Sequence, residues 1–342
     1  MQGSRESNYK LKALKISAIA IFSVGQEFSV MAGLMLIGTT RNGIQGATTL
    51  MPVNYGAYTF LANAGSPNAL DNAVGRDVAV MFRGFLDENR LEYRISLADG
   101  RARIDPSGGN PQSLYSPLRF TTRLQYDLFD KQVPDIYSAI GGYFYTGTFF
   151  GKKKVLAVGA GADLQRGYKS FAGDVFLDCP VNQGDGITVS LGYQSLNGGD
   201  PEFSEETYNA AGAVTAVNAN SLARLAPKQG IFFSEAGYYI SSLKLQPVAK
   251  YESRNVNGSD LQLDVLPSPP GEPAAVTLLN DIGSSSRFGI GLNYLPWGHN
   301  FNVKGMWEFV STKQRGLVSA GAFSEFKKSY SLLTIQGQWM FF

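Results

Sequence analysis

The sequence predicts an all-β fold, a transmembrane antiparallel up-and-down β-barrel of about 12 strands. Three observations predict it. Polar and apolar residues alternate in segments of about ten residues, aromatic residues cluster at the segment ends, and short connections alternate with long ones along the chain. The chain has 342 residues, including 39 glycines and 17 tyrosines, which favours a β-rich protein with many turns. One barrel can account for a chain of this length.

Alternation is clearest in residues 117–130, which predict one strand with an apolar and a strongly polar face. The apolar face carries Leu118, Phe120, Thr122, Leu124, Tyr126 and Leu128, and the polar face carries Arg119, Thr121, Arg123, Gln125 and Asp127. The same pattern predicts strands at 26–38, 76–86, 90–99, 118–129, 153–166, 170–181, 187–196, 228–240, 243–255, 286–296, 299–311 and 329–342.

Connection lengths agree with a barrel in an outer membrane. If the C-terminus lies in the periplasm, the long connections at 39–75, 100–117, 197–227, 256–285 and 312–328 all fall outside the cell. The short ones near 87–89, 182–186, 241–242 and 298 fall inside, as expected for such barrels. Two connections do not fit: 131–152 is long on the periplasmic side, and 167–169 is short on the external side.

The first 25 residues are atypical, and we place the barrel in residues 26–342. An apolar run at 16–24 follows Arg5, Lys10, Lys12 and Lys15. This order is similar to a secretory signal, although no clear cleavage site follows. The alternative is a start that has been assigned wrongly.

Composition excludes several classes of protein. A formal net charge of +2 gives no reason to expect nucleic acid as a partner. The single cysteine, Cys179, excludes an internal disulfide, and we expect no metal, cofactor or catalytic residues. A Ser–His hydrolase would depend on His299, which we expect instead in a turn at the wet interface. The lysines at 152–154 follow Gly147 and Gly151 with a spacing that does not match a phosphate-binding loop.

Several segments resemble the phosphate-selective porin O/P family. They are GRDVAVMFRGFLDENRLEYR (75–94), PLRFTTRLQY (117–126), YTGTFFGKKKVLAVGAG (145–161) and YKSFAGDVFLD (168–178). The resemblance implies a homotrimer of sixteen-stranded barrels in the outer membrane of a Gram-negative bacterium. It also implies passive diffusion of small polar solutes, including anions such as phosphate, so about four N-terminal strands would be absent from this chain.

Pore-lining residues are expected on the polar faces, where wall charge sets ion preference. The candidates are Arg83, Arg94, Arg119, Arg123, Lys244, Lys250, Arg254, Arg287 and Lys304. Acidic residues on the same faces are almost as numerous, so cross-strand ion pairs are the alternative interpretation. A structural sheath whose lumen holds a partner protein is the alternative function.

The connection at 41–75 is long, poor in charge and rich in aromatic residues, including Tyr55, Tyr58 and Phe60. Such a loop suits a protein interior better than water. We therefore predict that it folds into the barrel as a constriction.

Overall fold

The computed structural model describes residues 18–58, 76–99, 118–132, 143–165, 168–182, 184–197, 205–208, 214–218, 228–256, 284–319 and 322–340. Within these residues the chain is almost entirely β-strand. The strands are β1 Ala18–Ser23, β2 Ser29–Leu36, β3 Arg76–Leu86, β4 Leu91–Ala98, β5 Arg119–Asp127, β6 Val155–Gln165, β7 Tyr168–Pro180, β8 Gly186–Asn197, β9 Glu205–Tyr208, β10 Val214–Asn218, β11 Gln229–Tyr239, β12 Leu245–Val256, β13 Ser285–Tyr294, β14 Phe301–Ser319 and β15 Ala322–Trp339.

One 13-stranded antiparallel sheet dominates the fold. Its order is β1-β2-β3-β4-β5-β6-β7-β8-β11-β12-β13-β14-β15, so each strand pairs with its sequence neighbours except where β9 and β10 form a separate two-stranded sheet. This is up-and-down topology, which needs only hairpin connections between neighbouring strands. The architecture agrees with the predicted fold class.

The sheet is apolar outside and polar inside, the reverse of a soluble protein. In β5, Arg123 is 1% exposed, whereas its neighbour Leu124 is 50% exposed. Successive side chains of a strand point to opposite faces, so the polar set shares one covered surface and the apolar set shares an open one. A band of exposed apolar side chains fits a lipid environment, because hydrocarbon rather than water then covers it.

The sheet curves around its own connections. Residues 39–58 and 143–151 contact the polar face from one end of the strand order to the other. Tyr143 donates to the Leu36 carbonyl on β2 at 2.7 Å, the Arg41 amide donates to Asp174 on β7 at 2.9 Å, and Gln338 on β15 donates to the Thr48 carbonyl at 2.9 Å. Strands so far apart in the sheet reach the same short segment only if the sheet curls around it, as a barrel wall does.

All of the predicted strands form, and one further strand, β1, joins their sheet. Two more, β9 and β10, lie within the predicted connection at 197–227 and pair only with each other. Ala18–Ser23 pairs with β2 over its whole length, from Ala18 opposite Leu34 to Ser23 opposite Ser29. Its sequence, AIAIFS, is a short apolar run without polar alternation, which periodicity alone cannot assign to a strand. The division at residues 25 and 26 otherwise stays a prediction.

The predicted external loop at 312–328 is wrong. Both strands continue through it, because Thr312 to Ser319 of β14 pair with residues 322–328 of β15 as one long hairpin. Alternation of polar and apolar residues need not continue there, because a hairpin that projects beyond a membrane has both faces in water and needs no apolar face.

In the described part of the chain, helical structure comprises one turn at Arg41–Ile44 (α1), a 3-10 turn at Ala47–Thr49 and the helical residues Ala57 and Tyr58. Among the described residues, no helix has the length and apolar character needed to cross a bilayer. The turn between β3 and β4 is tight, and Asp87, Glu88 and Asn89 all adopt positive φ angles of 51° to 68°.

Candidate channel lumen

Two segments enter the barrel and meet inside it. The β2–β3 segment (residues 37–58) follows β2, and the β5–β6 segment (residues 143–151) precedes β6. They join through a parallel bridge between Gln45 and Tyr145. The Gly46 amide donates to the Tyr145 carbonyl at 3.0 Å, and the Tyr145 amide donates to the Ile44 carbonyl at 3.1 Å. Since β2 ends and β5 ends at opposite edges of the sheet, the segments enter from opposite ends of the barrel.

Local sequence explains how the β2–β3 segment turns inward. Thr40 caps α1, with its hydroxyl accepting from the Gly43 amide at 3.0 Å. Met51 and Val53 then pack against Val248 and Met306 of the wall, and all four are buried. The predicted inward fold of 41–75 is confirmed for residues 41–58, while the rest, including Phe60, lies outside the described residues.

The β2–β3 segment passes β6 at a glycine. A Cβ atom at Gly161 would meet the backbone of Thr39, whose Cα would lie 2.9 Å away. Gly161 therefore allows close approach of two backbones, whereas a Cβ at Gly159 would meet the side chains of Arg123 and Asp174.

We expect Gly161→Ala to push the β2–β3 segment off the wall, raising single-channel conductance and lowering thermal stability. Backbone atoms cannot yield as a flexible side chain can, so the added methyl group must move the segment. Gly173→Ala on β7 is the matched control, because its nearest neighbour would be 3.8 Å away. Equal conductance in the two variants would contradict this prediction.

Arg123 on β5 makes several hydrogen bonds to the wall and to the inner segments. Its guanidinium donates to both carboxylate oxygens of Asp174 at 2.7 Å, to the Thr39 carbonyl at 2.8 Å and to the Tyr145 hydroxyl at 3.2 Å. Such bidentate pairing fixes direction as well as distance. Arg123 therefore ties the wall to both inner segments.

Arg41 brings a further guanidinium into the lumen from α1. It stacks on Phe176, with 3.7 Å from its Cζ to the ring centroid, and donates at 2.7 Å to both the Gln132 side chain and the Thr146 carbonyl. Burial lowers the pKa of Arg41 to about 10, so the group stays protonated at neutral pH. Its charge is held mainly by neutral acceptors and an aromatic face.

Glu92 on β4 is shared by several donors. Arg83 and Arg94 both donate to the same carboxylate oxygen of Glu92, Oε1, at 2.6 and 2.8 Å. The Tyr145 hydroxyl donates to the second oxygen, Oε2, at 2.8 Å. One carboxylate therefore serves two guanidinium groups. Arg41, Arg83, Arg94 and Arg123 together form an arginine cluster around Tyr145. The centroid of the Tyr145 ring lies 4.8 to 5.1 Å from the guanidinium carbons of Arg41, Arg94 and Arg123.

The opposite part of the wall holds the β2–β3 segment with lysines and carboxylates. Lys250 on β12 donates to the Tyr55 carbonyl at 2.8 Å and pairs with Glu252 at 2.8 Å. Glu252 also accepts from the Tyr58 amide at 3.1 Å, and Lys304 on β14 donates to the Leu50 carbonyl. These bonds satisfy backbone groups of an irregular segment that no sheet partner could satisfy.

The structure separates the predicted pore-lining residues into three groups. Arg254 and Arg287 are half-buried on the inner face, with Arg254 stacked on Tyr58 and Arg287 paired with Glu308 at 2.9 Å. Lys244 is wrongly predicted: it lies exposed in the turn before β12, with a φ of 55°. The buried inner group comprises Arg83, Arg94, Arg119, Arg123, Lys250 and Lys304.

Most of the predicted pore-lining residues form ion pairs with acidic side chains, as the alternative interpretation expected. Besides the pairs above, Arg119 pairs with Asp163 at 2.6 Å and with Asp77 at 3.3 Å. The two acidic partners of Arg119 lie on opposite sides of β5, Asp163 on β6 and Asp77 on β3. The wall charges therefore stiffen the barrel and hold the inner segments at the same time.

Sequence reasoning missed the β5–β6 segment and the arginine of α1 as lumen residues. The long periplasmic connection at 131–152 had appeared as an exception to the barrel pattern, and its inward fold explains that exception. The aromatic sequence Tyr143-Phe144-Tyr145 was the available signal, since such a run suits an interior better than water. No pattern in the sequence would have paired Tyr145 with Arg123.

His299 differs from the expected histidine at a wet interface. It lies in the turn between β13 and β14, but its ring packs on Phe150 with centroids 4.4 Å apart, and its Nε2 lies 3.0 Å from the Thr148 carbonyl. Burial lowers the pKa of His299 to about 4. The imidazole is therefore neutral and fastens the β5–β6 segment to the wall.

We expect acid to weaken this fastening. The unfolded chain binds a proton at His299 near pH 6.5 and the folded chain only near pH 4, so stability is complete above pH 6.5 and falls between those values. The loss is at most about 3 kcal/mol. Thermal melting from pH 7 to pH 4 should show a smaller decrease for His299→Gln than for the wild type; identical slopes would contradict the assignment.

The other features singled out in the sequence are structural where they are described. Lys153 donates to the Lys131 carbonyl at 3.0 Å, and Lys154 lies 4.7 Å from the Phe129 ring, as expected of a basic strand mouth. Cys179 is partly exposed at the end of β7. No group of metal-ligating side chains occurs among the residues that the structure describes.

Comparisons with known proteins place the chain in no family. No family model matches it, and no curated protein matches its sequence. Among solved structures, it is similar to the outer membrane channel DcaP of Acinetobacter baumannii, with a TM-score of 0.43 and 12% identity over 98% of this chain and 77% of that chain. The resemblance to the phosphate-selective porin O/P family stays a prediction.

Proposed function

We propose that this protein is an outer-membrane channel of a Gram-negative bacterium that admits small polar solutes by passive diffusion. Its environment would be outer-membrane lipid on the apolar face of the sheet. Exposed Trp297 and Trp339 and half-buried Phe301 form one aromatic girdle. Exposed Trp307 and Phe309 lie near the middle of β14, before the part that extends past the start of β13. About 26 Å of strand separates Phe301 from Phe309, close to the apolar band of such barrels.

One observation carries the channel proposal: buried charged and polar side chains occur on the inner face of strands all around the sheet, between apolar clusters such as Val248 and Met306, and irregular segments fold onto this face from both ends. Nothing requires the inside of a purely structural barrel to be lined by ionised groups. In a channel, such groups and the segments they hold narrow a water-filled path to molecular size. The proposal needs no catalytic residue and no cofactor.

Anions such as phosphate are the finer candidate for the solute. In the arginine cluster, Arg41, Arg83, Arg94 and Arg123 face three carboxylates, those of Glu92, Asp127 and Asp174. This small excess of positive charge would favour anions where the path is narrowest, and arginine can hold phosphate bidentately. A homotrimer remains an expectation from the family resemblance.

The sheath is the second candidate function. It requires a partner protein inside the barrel, but residues 39–58 and 143–151 of the chain itself already occupy that position. The observation that favours a sheath is the near-complete burial of Arg83, Arg119 and Lys304, because an open pore would leave such side chains wet.

Single-channel recording in a planar bilayer under a salt gradient tests these proposals. A channel gives stable conductance steps, and its reversal potential reports ion preference. Removing the positive charge at Arg41 with Arg41→Gln should move the reversal potential towards cations, whereas Lys244→Gln in the exposed turn should not. Folded, inserted protein that gives no steps would contradict the channel and favour the sheath.

A further inference from the structure

A cavity of about 380 Å³ lies on the outer face of the barrel, where β8 and β12 end and β11 begins. It is lined by Tyr193, Ser195, Lys228, Gln229, Gly230, Asn255 and Val256. In the register, Gly230 lies between Ser195 on β8 and Asn255 on β12, and both of these neighbours are exposed. Because glycine has no side chain, this outer row has a notch at its centre. By the proposed orientation, the notch is at the external rim.

The cavity presents one positive charge and several hydrogen-bond donors. Lys228 is the one charged group among its lining residues, and it forms no hydrogen bond or ion pair with any residue that the structure describes. The Tyr193 hydroxyl lies over Gly230, 2.6 Å from the position that a Cβ atom would take. The side-chain oxygen of Asn255 accepts from the Ser284 hydroxyl at 3.2 Å, so its amide N–H groups remain as donors. Donors around a cation are complementary to an anion with several oxygens, such as phosphate.

The height of the cavity indicates which molecule supplies this anion. One outward-facing row nearer to the membrane centre, Tyr193 pairs with Phe232, and the Phe232 ring lies 6.2 Å from that of Tyr251. All three rings are exposed, and about 7 Å of strand separates Phe232 from Gly230. Aromatic residues of this kind lie where hydrocarbon meets the headgroups, so the cavity opens among the headgroups. A solute inside the barrel cannot reach it, because the sheet lies between them.

We propose that this cavity binds the phosphorylated headgroup of an anionic lipid in the outer leaflet. Lys228 would pair with the phosphate, while the Tyr193 hydroxyl and the Asn255 amide donate to its oxygens. The acyl chains would lie along the exposed rings of Phe232 and Tyr251. Basic residues next to a membrane surface attract anionic lipid in this way. The inference rests on the proposed outer-membrane location, but not on conduction or on the nature of the solute.

Lys228→Gln tests the charge of the site. The full chain, folded in detergent micelles, is melted with increasing diphosphoryl lipid A. We expect the lipid to raise the wild-type Tm by several degrees, because it binds the folded chain. The lipid concentration that gives half of this rise should be about five-fold higher for Lys228→Gln, as the loss of one basic residue near a charged surface predicts. Lys228→Arg keeps the charge and should keep the wild-type value.

Gly230→Val tests the shape of the site independently of its charge. The new side chain would fill the notch and displace the Tyr193 hydroxyl, so the rise in Tm with lipid should fall by more than half. Without lipid the Tm should change little, because the tip of a tyrosine can move and valine suits a strand. A wild-type response to lipid in either Lys228→Gln or Gly230→Val would overturn the site.

Controls separate a lipid phosphate from other causes. Lys169→Gln removes an exposed lysine from the same end of β7, outside the cavity, and should leave the response intact. Dephosphorylated lipid A supplies the acyl chains alone, and inorganic phosphate supplies the anion alone; neither should reproduce the rise in Tm. A full rise with inorganic phosphate alone would contradict a lipid site.

Conductance of the wild-type protein distinguishes this inference from the proposed function. A chain that conducts but shows no lipid-dependent rise in Tm contradicts only the lipid site. A chain that shows the rise without conducting contradicts only the channel.

Discussion

Replacing residues 41–56 with a short Gly-Ser linker should raise single-channel conductance several-fold. This is the largest functional effect that the structure predicts, because the β2–β3 segment contacts the wall from β2 to β15 and lies across the lumen. Removing it would leave charged groups such as Lys250, Lys304 and Asp174 facing open space, where water can hydrate them. The strands themselves retain all their sheet partners.

Planar-bilayer recording checks this expectation. Shortening the β14–β15 hairpin at residues 314–325 is the matched control, since it removes a similar length of chain from outside the lumen. Its conductance should equal that of the wild type. A linker variant that folds, inserts and conducts no better than the wild type would show that the segment does not limit the path.

Arg123→Ala should have the largest effect on stability among single substitutions of the wall. The substitution leaves the buried carboxylate of Asp174 without its cation, and the Thr39 carbonyl and the Tyr145 hydroxyl each lose a hydrogen bond. Breaking one partner of a buried pair costs about 3–5 kcal/mol. Urea unfolding of the purified barrel measures the free energy of unfolding directly.

Two comparison variants give the cause of that loss. Lys244→Gln changes an exposed cation and should alter stability by less than about 0.5 kcal/mol. The double variant Arg123→Met and Asp174→Leu removes both charges together and should recover much of the loss. If the double variant were as unstable as Arg123→Ala, the contacts to Thr39 and Tyr145 rather than the stranded charge would explain the effect.

Strand positions and faces were predictable because they depend on local sequence. Alternation in residues 118–128 reports directly which side of β5 meets lipid, and the structure places Leu124 outside and Arg123 inside accordingly. The exposed Leu333, Ile335 and Trp339 likewise follow the apolar register of the last strand. A period of two is a property of the backbone, so a single sequence contains it.

Inner contacts were predictable only in part. The low charge and aromatic content of 41–75 indicated an inward fold, and residues 41–58 confirm it. Many partners of those residues come from strands that are more than a hundred positions away, as Arg41 with Asp174 and Lys250 with Tyr55 illustrate. Such pairings depend on how the sheet curves, which no local pattern specifies.

β1 shows the opposite difficulty. An uninterrupted apolar run before a barrel suits both a secretory signal and a strand, because each needs only a few apolar residues in sequence. Pairing with β2 identifies Ala18–Ser23 as a strand in the structure, and pairing is a property of two segments rather than one. Lys244 was misplaced for a similar reason: shifting a strand start by two residues exchanges a wall position for a turn.

The bridge between Gln45 and Tyr145 couples the two mouths of the barrel. The two inner segments arrive from opposite ends, and their backbones are hydrogen-bonded where they meet. Moving either segment away from the wall must therefore break or drag contacts of the other. A disturbance at one side of the membrane would reach the opposite mouth without any movement of the strands.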